Sequence, residues 1–162
     1  MSSLAERVLG TLIERGQTLA VAESLTGGLL AATLVEVPGA SAAFRGGLIP
    51  YASDLKASLA GVAPDLLSER GPVDPDVAAA LAAGARERCA ANWGLATTGV
   101  AGPDPQGGRA VGTVHVAAVG PGTARTRSLH LPGDRAAVRS ATVTAALDLL
   151  LELLGETRCG RP

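Results

Sequence analysis

The sequence predicts an α/β protein, a three-layer α/β/α sandwich built around a mixed, mostly parallel sheet. Short apolar runs alternate along the chain with longer amphipathic stretches, as expected for strands joined by crossover helices. The last strands also follow one another closely enough to form an antiparallel hairpin. The 162 residues are enough for one domain, spanning 1–162, that closes a substantial core.

The first half of the chain predicts two helix–strand units. Ser3 and Glu6 have the spacing of a capping box, and the apolar stripe behind them predicts a helix that ends at Gly16. The turn residues Pro38 and Gly39 stop a later helix. The other elements predicted in this half are a strand at 17–22, a helix at 25–36, a strand at 44–51 and a short helix at 52–61.

The second half contains the clearest helix signals. Asp74 followed by Pro75 is an N-cap residue followed by proline at the first helical position, and an apolar face then recurs every four residues as far as Cys89. Asp134 caps a last long helix that ends at Gly155. Strands are predicted at 94–99, 112–119 and 125–131.

Composition excludes several classes of partner. A formal net charge of −1 gives no electrostatic reason to expect binding to nucleic acid or to an anionic membrane. No apolar run approaches the roughly 20 residues of a membrane span. The two cysteines, Cys89 and Cys159, lack metal-ligand spacing. We therefore expect a cytoplasmic protein in a reducing compartment, with no metal and no cofactor.

Three predicted strand ends carry unusual chemistry. They read ESLTGG at 23–28, YASDLK at 51–56 and TTGVAGP at 97–103. Because the carboxyl ends of parallel strands meet at one edge of a sheet, the side chains on these segments should converge. Glycines there allow a ligand to approach the backbone and leave amides at a helix N-terminus free to bind an anion. The sequence therefore predicts a site for a small, phosphate-bearing molecule.

A serine and a lysine on these segments suggest a mechanism. Lys56 would lie near the start of its helix, where the macrodipole and partial burial both lower the pKa of an amine. A neutral lysine can replace histidine as the base that activates a serine, here Ser24. Neither histidine is well placed for this role. Backbone amides around Gly27, Gly28 or Gly99 could stabilise an oxyanion.

Purely structural interpretations of the same residues remain open. Ser24 or Thr26 could only cap the following helix. The glycine pairs at 27–28 and 46–47 could only permit close packing. Lys56 could be an ordinary solvated side chain. The residues alone therefore support an α/β domain with a small-anion site more strongly than they support an enzyme.

Four stretches, in order, resemble one family over residues 4–154. They are AESLTGG, VPGASAAFRGGLIPYASDLKASLAGV, ATTGVAGP and LPGDRAAVRSATV, and they resemble the CinA C-terminal domain family in its stand-alone form. The characterised activity of that family is nicotinamide-nucleotide amidohydrolase, or NMN deamidase. The resemblance implies a homodimeric hydrolase that converts nicotinamide mononucleotide to nicotinic acid mononucleotide and ammonia without a metal. This reaction recycles pyridine nucleotides.

The resemblance also implies roles for individual residues. The catalytic set it implies is Ser24 as nucleophile, Lys56 as base, Tyr51 and Thr98. The substrate-binding set comprises Thr26, Gly27, Gly28, Gly46, Gly47, Gly99, Ala101, Gly102 and Arg139. Arg139, with Arg135 before it, would bind the phosphate, because arginine binds phosphate in a bidentate manner.

The sequence departs from the family pattern at several points, two of which lie in the segments of the predicted site. Leu25 stands where the family usually has cysteine, and Ala52 and Ser53 replace the usual serine and asparagine after the tyrosine. Two other functions therefore remain open: a nucleotide-binding module without catalysis, and an amidase for a different carboxamide. Within the hydrolase hypothesis, Ser24 could attack the amide or position a water for Lys56.

Overall fold

A five-stranded sheet forms the centre of the protein, of which a computed structural model describes residues 1–155. The strands stand in the order β2-β1-β3-β4-β5. β1 pairs in parallel with β2 and β3, and β4 pairs antiparallel with β3 and β5, so that β4 alone runs against the other strands of the described chain. The predicted mixed, mostly parallel sheet is confirmed. The strands are β1 Leu19–Glu23, β2 Phe44–Leu48, β3 Trp93–Gly99, β4 Thr113–Gly120 and β5 Thr123–His130.

Helices cover both faces of this sheet, which confirms the three layers. One face carries α1 Leu4–Glu14, α2 Leu29–Val35 and α6 Arg135–Leu153. The other carries α3 Ser53–Ser58, α4 Pro64–Arg70 and α5 Pro75–Arg88. A 3₁₀ turn at Ala40–Ala42 precedes β2. No helix within residues 1–155 is long and apolar enough to cross a membrane.

The two faces of the sheet are packed differently because side chains alternate along each strand. On β1, Leu19 and Val21 enter the core under α1, α2 and α6, whereas Ala20 and Ala22 lie under α5. Small residues let α5 lie close to the sheet. A Cβ at Gly94 would come within 1.9 Å of the Ala82 carbonyl oxygen, so this position can hold only glycine.

The predicted helix starts are confirmed where a cap signal was present. Ser3 and Glu6 form both bonds of the capping box of α1. The Asp74 side chain accepts a hydrogen bond from the Asp76 amide, and the Asp134 side chain accepts one from the Ala137 amide. Capping is a local interaction, and the sequence therefore predicts it well.

Three elements differ from the prediction. The helix expected over 25–36 begins only at Leu29, because Gly27 and Gly28 adopt φ values of +55° and +101° and form a turn instead. The strand expected over 44–51 ends at Leu48. The unpredicted α4 has no buried residue, so it lacks the full apolar stripe that reveals a helix in sequence.

The two cysteines are predicted to be reduced and to ligate no metal. Cys89 is a half-buried free thiol at the end of α5. Cys159 lies outside the described residues. Within residues 1–155 no group of three or more His, Cys, Asp or Glu side chains could hold a metal ion.

Candidate active site

The three strand ends meet in one cleft at the edge of the sheet, as the topology predicts. The cleft has a volume of about 140 Å³. The predicted site residues that line it are Ser24, Tyr51, Lys56, Thr98, Gly99, Ala101 and Gly102. Residues from the ends of β1 and β3 and from the segment 51–56, which enters α3, therefore come together although they are far apart in sequence.

Lys56 is the central feature of the cleft. Its side chain is almost completely buried, at 1% exposure. Its Nζ lies 3.0 Å from the Ser24 Oγ, 2.9 Å from the Pro50 carbonyl oxygen and 3.3 Å from the Tyr51 carbonyl oxygen. Burial lowers the pKa of Lys56 from its ordinary 10.5 to about 8. The direction of the predicted pKa change is confirmed, and its cause is burial.

The three oxygens around Nζ fit both protonation states of the amine. An ammonium has three N–H groups, one for each oxygen. A neutral amine keeps two N–H groups for the two carbonyls, so its lone pair is directed at the remaining partner, the Ser24 Oγ. This arrangement can remove the proton of the Ser24 hydroxyl and return it.

One signal for Lys56 in the sequence was missed. Lys56 is the only lysine of the chain, since the other 13 of its 14 basic residues are arginine. Arginine stays protonated at any ordinary pH, whereas a buried lysine can lose its proton. In a chain that otherwise uses arginine, a single lysine is therefore a candidate for a position that needs a neutral amine.

Glu23 corrects the predicted anion site at the start of α2. Its side chain is fully buried, and its carboxylate accepts hydrogen bonds from the backbone amides of Leu30 and Ala31 at 2.8 and 3.0 Å. The protein itself thus supplies the anion that the N-terminus of this helix attracts. These amides are not free for a phosphate.

Ser24 does not cap α2, because the cap position is Gly28 and no side chain bonds there. The structural interpretation of Ser24 as a helix cap is therefore wrong. The amide of Gly27 also has an internal partner, since it donates to the Ser24 carbonyl at 3.0 Å. The Gly27 amide is therefore not free to stabilise an oxyanion, and its prediction as an oxyanion donor is wrong.

Thr26 and Arg139 hold the loop after β1 in place and do not line the cleft. The Thr26 hydroxyl bonds to the Thr97 hydroxyl at 2.8 Å in a fully buried contact. The Arg139 guanidinium donates to the carbonyls of Leu25 and Thr26 at 3.0 and 2.9 Å. Two donors of Arg139 are therefore directed at the protein backbone, and its binding of phosphate stays a prediction.

Gly46 and Gly47 are also absent from the cleft lining, and their role in substrate binding stays a prediction. Both lie within the edge strand β2, opposite Ala20 and Val21 of β1. A Cβ at Gly47 would lie 2.5 Å from the Val21 Cγ2. Close packing between the strands explains this glycine.

Arg135, which the resemblance implies alongside Arg139 for the phosphate, lines the cleft. Its guanidinium donates to the Gly102 carbonyl at 2.7 Å and to the Tyr51 hydroxyl at 3.1 Å. Arg135 and Arg139 share a face of α6, four residues apart, so periodicity alone cannot separate them. Arg135 is the first residue of α6, one turn nearer the cleft.

Thr98 lines the cleft, and its hydroxyl donates to the Pro72 carbonyl at 2.7 Å. Thr98 thereby fixes the segment that forms the opposite wall.

His115 lies opposite Thr98 in the β3–β4 ladder and bonds to the Ser128 hydroxyl at 2.8 Å, outside the cleft. Burial lowers the pKa of His115. The remaining unpredicted lining residues are Leu25, Ser53, Pro72, Val73, Val100, Asp104 and Gln106.

The fold and the cleft define a class of protein: a three-layer α/β domain with a serine–lysine pair in a ligand cleft at its sheet edge. Within this class, the chain belongs to the CinA family, because the family model of the CinA C-terminal domain matches residues 1–154.

Similar proteins agree with this assignment. A CinA-like protein of Frankia casuarinae is 56% identical over 152 residues, covering 94% of this chain and 35% of its own length. A putative competence-damage inducible protein of Desulforamulus reducens is 43% identical over 92% of this chain and 36% of its own length. The chain thus spans about a third of the length of these curated relatives.

Solved structures show the same fold. The competence/damage-inducible protein of Agrobacterium tumefaciens has a TM-score of 0.89 and 33% identity, covering 96% of this chain and all of that one. A CinA superfamily protein of Klebsiella pneumoniae has a TM-score of 0.90 and 31% identity, covering 94% of this chain and 96% of its own.

Proposed function

We propose that the protein is a metal-independent amidohydrolase that converts nicotinamide mononucleotide to nicotinic acid mononucleotide and ammonia. Ser24 is the nucleophile and Lys56 is the base. The observation that supports this proposal best is the 3.0 Å contact between the Lys56 Nζ and the Ser24 Oγ, made by a buried lysine with a lowered pKa. A serine and a neutral amine at this distance are the components of an acyl-transfer site.

The first half of the reaction forms an ester. The neutral Lys56 amine takes the Ser24 proton while the Ser24 Oγ bonds to the carboxamide carbon. The resulting tetrahedral intermediate loses its C–N bond, and the Lys56 ammonium gives its proton to the departing nitrogen, which leaves as ammonia. Ser24 then carries the nicotinate group as an ester.

The second half releases the acid. Lys56, neutral again, takes a proton from a water molecule whose oxygen attacks the ester carbon. The bond to the Ser24 Oγ then breaks, and Lys56 returns the proton to that oxygen. In the alternative mechanism Ser24 only positions a water, and no ester forms.

Gly99 is the backbone group that we assign to the oxyanion. The parallel β1–β3 ladder ends at the Glu23–Thr97 pair, so Gly99 lies two residues beyond its end, where it lines the cleft. The Ser24 carbonyl, which would face the Gly99 amide if the ladder continued, accepts instead from Gly27. An amide held at the end of a strand needs no reorganisation to stabilise a developing negative charge.

The size of the cleft suggests how the nucleotide lies. Its 140 Å³ is well below the roughly 300 Å³ at which pockets enclose a whole drug-sized ligand. The cleft therefore suits the reacting ring and carboxamide, with the ribose and phosphate at its rim. Arg135 lines this site with its guanidinium and is the cation that we assign to the phosphate.

The test is ammonia release from nicotinamide mononucleotide, measured with a chelator present. We expect turnover by the wild type and its loss, by at least 100-fold, in Ser24→Ala and in Lys56→Arg, because arginine keeps the charge but cannot become a neutral base. Ser58→Ala, an exposed serine on the same helix as Lys56, is the matched control and should keep full activity.

The outcomes separate the three hypotheses. Binding of the nucleotide without ammonia release would favour a binding module and contradict the hydrolase. Turnover of another carboxamide but not of this one would contradict the substrate assignment only. Mass spectrometry of a quenched reaction should detect the ester on Ser24, and its absence during turnover would favour the activated water.

A further inference from the structure

We infer that Asp104 binds the vicinal hydroxyls of a ribosyl group and thereby makes the cleft selective for ribosyl over 2′-deoxyribosyl ligands. The inference rests on the proposed function for the place of the ligand in the cleft. It assigns Asp104 a role in specificity, which neither sequence nor resemblance suggested.

Asp104 belongs to a hairpin in the connection between β3 and β4. Gln106 and Arg109 exchange two backbone hydrogen bonds of 3.1 and 2.9 Å. The two residues between them, Gly107 and Gly108, have φ values of +56° and +74°. Positive φ at both central positions is the signature of a two-residue type I′ turn. The segment is therefore a defined hairpin, and Asp104 stands at its base.

Bonds at both sides attach this hairpin to the cleft wall. Gly102 lies two residues before Asp104, and its carbonyl accepts a hydrogen bond from the Arg135 guanidinium. On the other side, the Gly112 amide donates to the Val100 carbonyl at 2.8 Å. The Arg109 guanidinium also lies 4.0 Å from the buried carboxylate of Asp74. These contacts set where Asp104 lies along the cleft.

Asp104 differs from the other acidic residues around the cleft because its carboxylate has no internal role. Glu23, Asp74 and Asp134 each accept hydrogen bonds from backbone amides near a helix start. Within residues 1–155, no hydrogen bond or ion pair joins the Asp104 side chain to another residue, although it lines the cleft. Asp104 is exposed, so its carboxylate is bonded only to water and is available to a ligand in the cleft.

The chemistry of this partner follows from charge. A carboxylate repels a phosphate and accepts hydrogen bonds through two oxygens, which suits two neighbouring hydroxyl groups. The Cα of Asp104 is at most about 7 Å from the Cα of Gly102, whose carbonyl binds the Arg135 guanidinium. An anion at Arg135 and a diol at Asp104 are thus neighbours, as phosphate and ribose are in a nucleotide.

The experiment measures binding of nicotinic acid mononucleotide and its 2′-deoxyribosyl counterpart by calorimetry, since neither carries an amide to hydrolyse. We expect the wild type to bind the ribosyl ligand about tenfold more tightly, as for a hydrogen bond to a charged acceptor. Asp104→Ala and Asp104→Asn should both reduce this preference, because only the ribosyl ligand should bind more weakly. In Asp104→Ala the two affinities should lie within about twofold of each other. Asp65→Asn, an exposed carboxylate on α4 outside the cleft, should keep the preference.

Three results would overturn the inference: no preference in the wild type, an equal loss for both ligands in Asp104→Ala, or no binding of either ligand. The second would mean that the carboxylate acts through its charge. Ammonia release, measured in parallel, decides the hydrolase separately. Turnover without the preference rejects only the role of Asp104, and the preference without turnover rejects only the hydrolase.

Discussion

The loop after β1 and the hairpin after β3 both border the cleft, and their polar groups are used in opposite ways. In the first, Ser24 and Thr26 bond to other parts of the protein, as does Glu23 at the end of β1. In the second, the side chains of Asp104 and Gln106 line the cleft without a hydrogen-bond partner within residues 1–155. The first loop has its groups in place before any ligand arrives, and the second offers groups to a ligand.

This difference separates two tasks. A nucleophile and its base must be held within a fraction of an ångström, which requires neighbours whose own positions are fixed by hydrogen bonds. Recognition of a ligand requires polar groups that are not already used inside the protein. Four predictions, from the largest expected effect to the smallest, test this division.

The largest effect concerns the protonation of Lys56. Only the neutral amine can accept the Ser24 proton, and burial lowers its pKa to about 8. Below that pH we expect kcat/KM for ammonia release to rise about tenfold per pH unit, with a plateau above it. Activity increases with pH because raising the pH removes the proton that blocks the base.

The single lysine allows an independent check of this pKa. Protein labelled with ¹⁵N-lysine contains one side-chain amine of this type, so its nitrogen resonance reports Lys56 alone. A titration midpoint near 8 is expected. A midpoint near 10.5, or activity that is independent of pH below 7, would contradict the role of Lys56 as the base.

The next effect comes from removing a hydrogen-bond acceptor at the end of β1, beside the loop that follows it. Glu23→Gln replaces one of the two carboxylate oxygens, which accept from the Leu30 and Ala31 amides, by an NH₂ group that cannot accept. We expect a loss of about 2 kcal/mol in the free energy of unfolding, because a buried amide is left without its charged acceptor. Urea denaturation measures it. Glu36→Gln, at an exposed carboxylate on the C-cap of α2, should change little, and equal losses in both variants would argue against this explanation.

The two arginines of α6 should separate stability from binding. Arg139→Ala removes two bonds to the loop after β1 and should cost about 1.5 kcal/mol of unfolding free energy. Arg135→Ala should leave stability within about 0.5 kcal/mol, because the residue is exposed, and should raise KM about tenfold. Denaturation and steady-state kinetics of both variants test this. A KM effect confined to Arg139→Ala would reverse the assignment.

The smallest effect is a gain. Ala52 occupies the N-cap position of α3 with the extended backbone of a cap but no side-chain hydrogen bond. Ala52→Ser restores the serine usual in the family and should stabilise the protein by about 1 kcal/mol. Thermal unfolding measures this gain, with Ala57→Ser inside the same helix as control. No gain over that control would mean that the helix start lacks cap geometry.

Much of the fold could be predicted because its signals are local. The caps at Ser3, Asp74 and Asp134 depend on a few neighbouring residues, and all three are present in the structure. The helix α4 was missed because its apolar side chains are only partly buried and leave no clear stripe. The start of α2 was misplaced because Gly27 and Gly28 permit a turn that composition does not distinguish from a helix.

The sequence by itself determined the order of elements and the meeting of three strand ends, since parallel strands must bring their carboxyl ends to one edge. Only the tertiary structure decided that Glu23 fills the helix N-terminus, that Arg135 and not Arg139 reaches the cleft, and that Lys56 is buried against Ser24. These outcomes depend on the directions of side chains packed against distant segments. A local pattern records which residues share a face, and packing decides what that face meets.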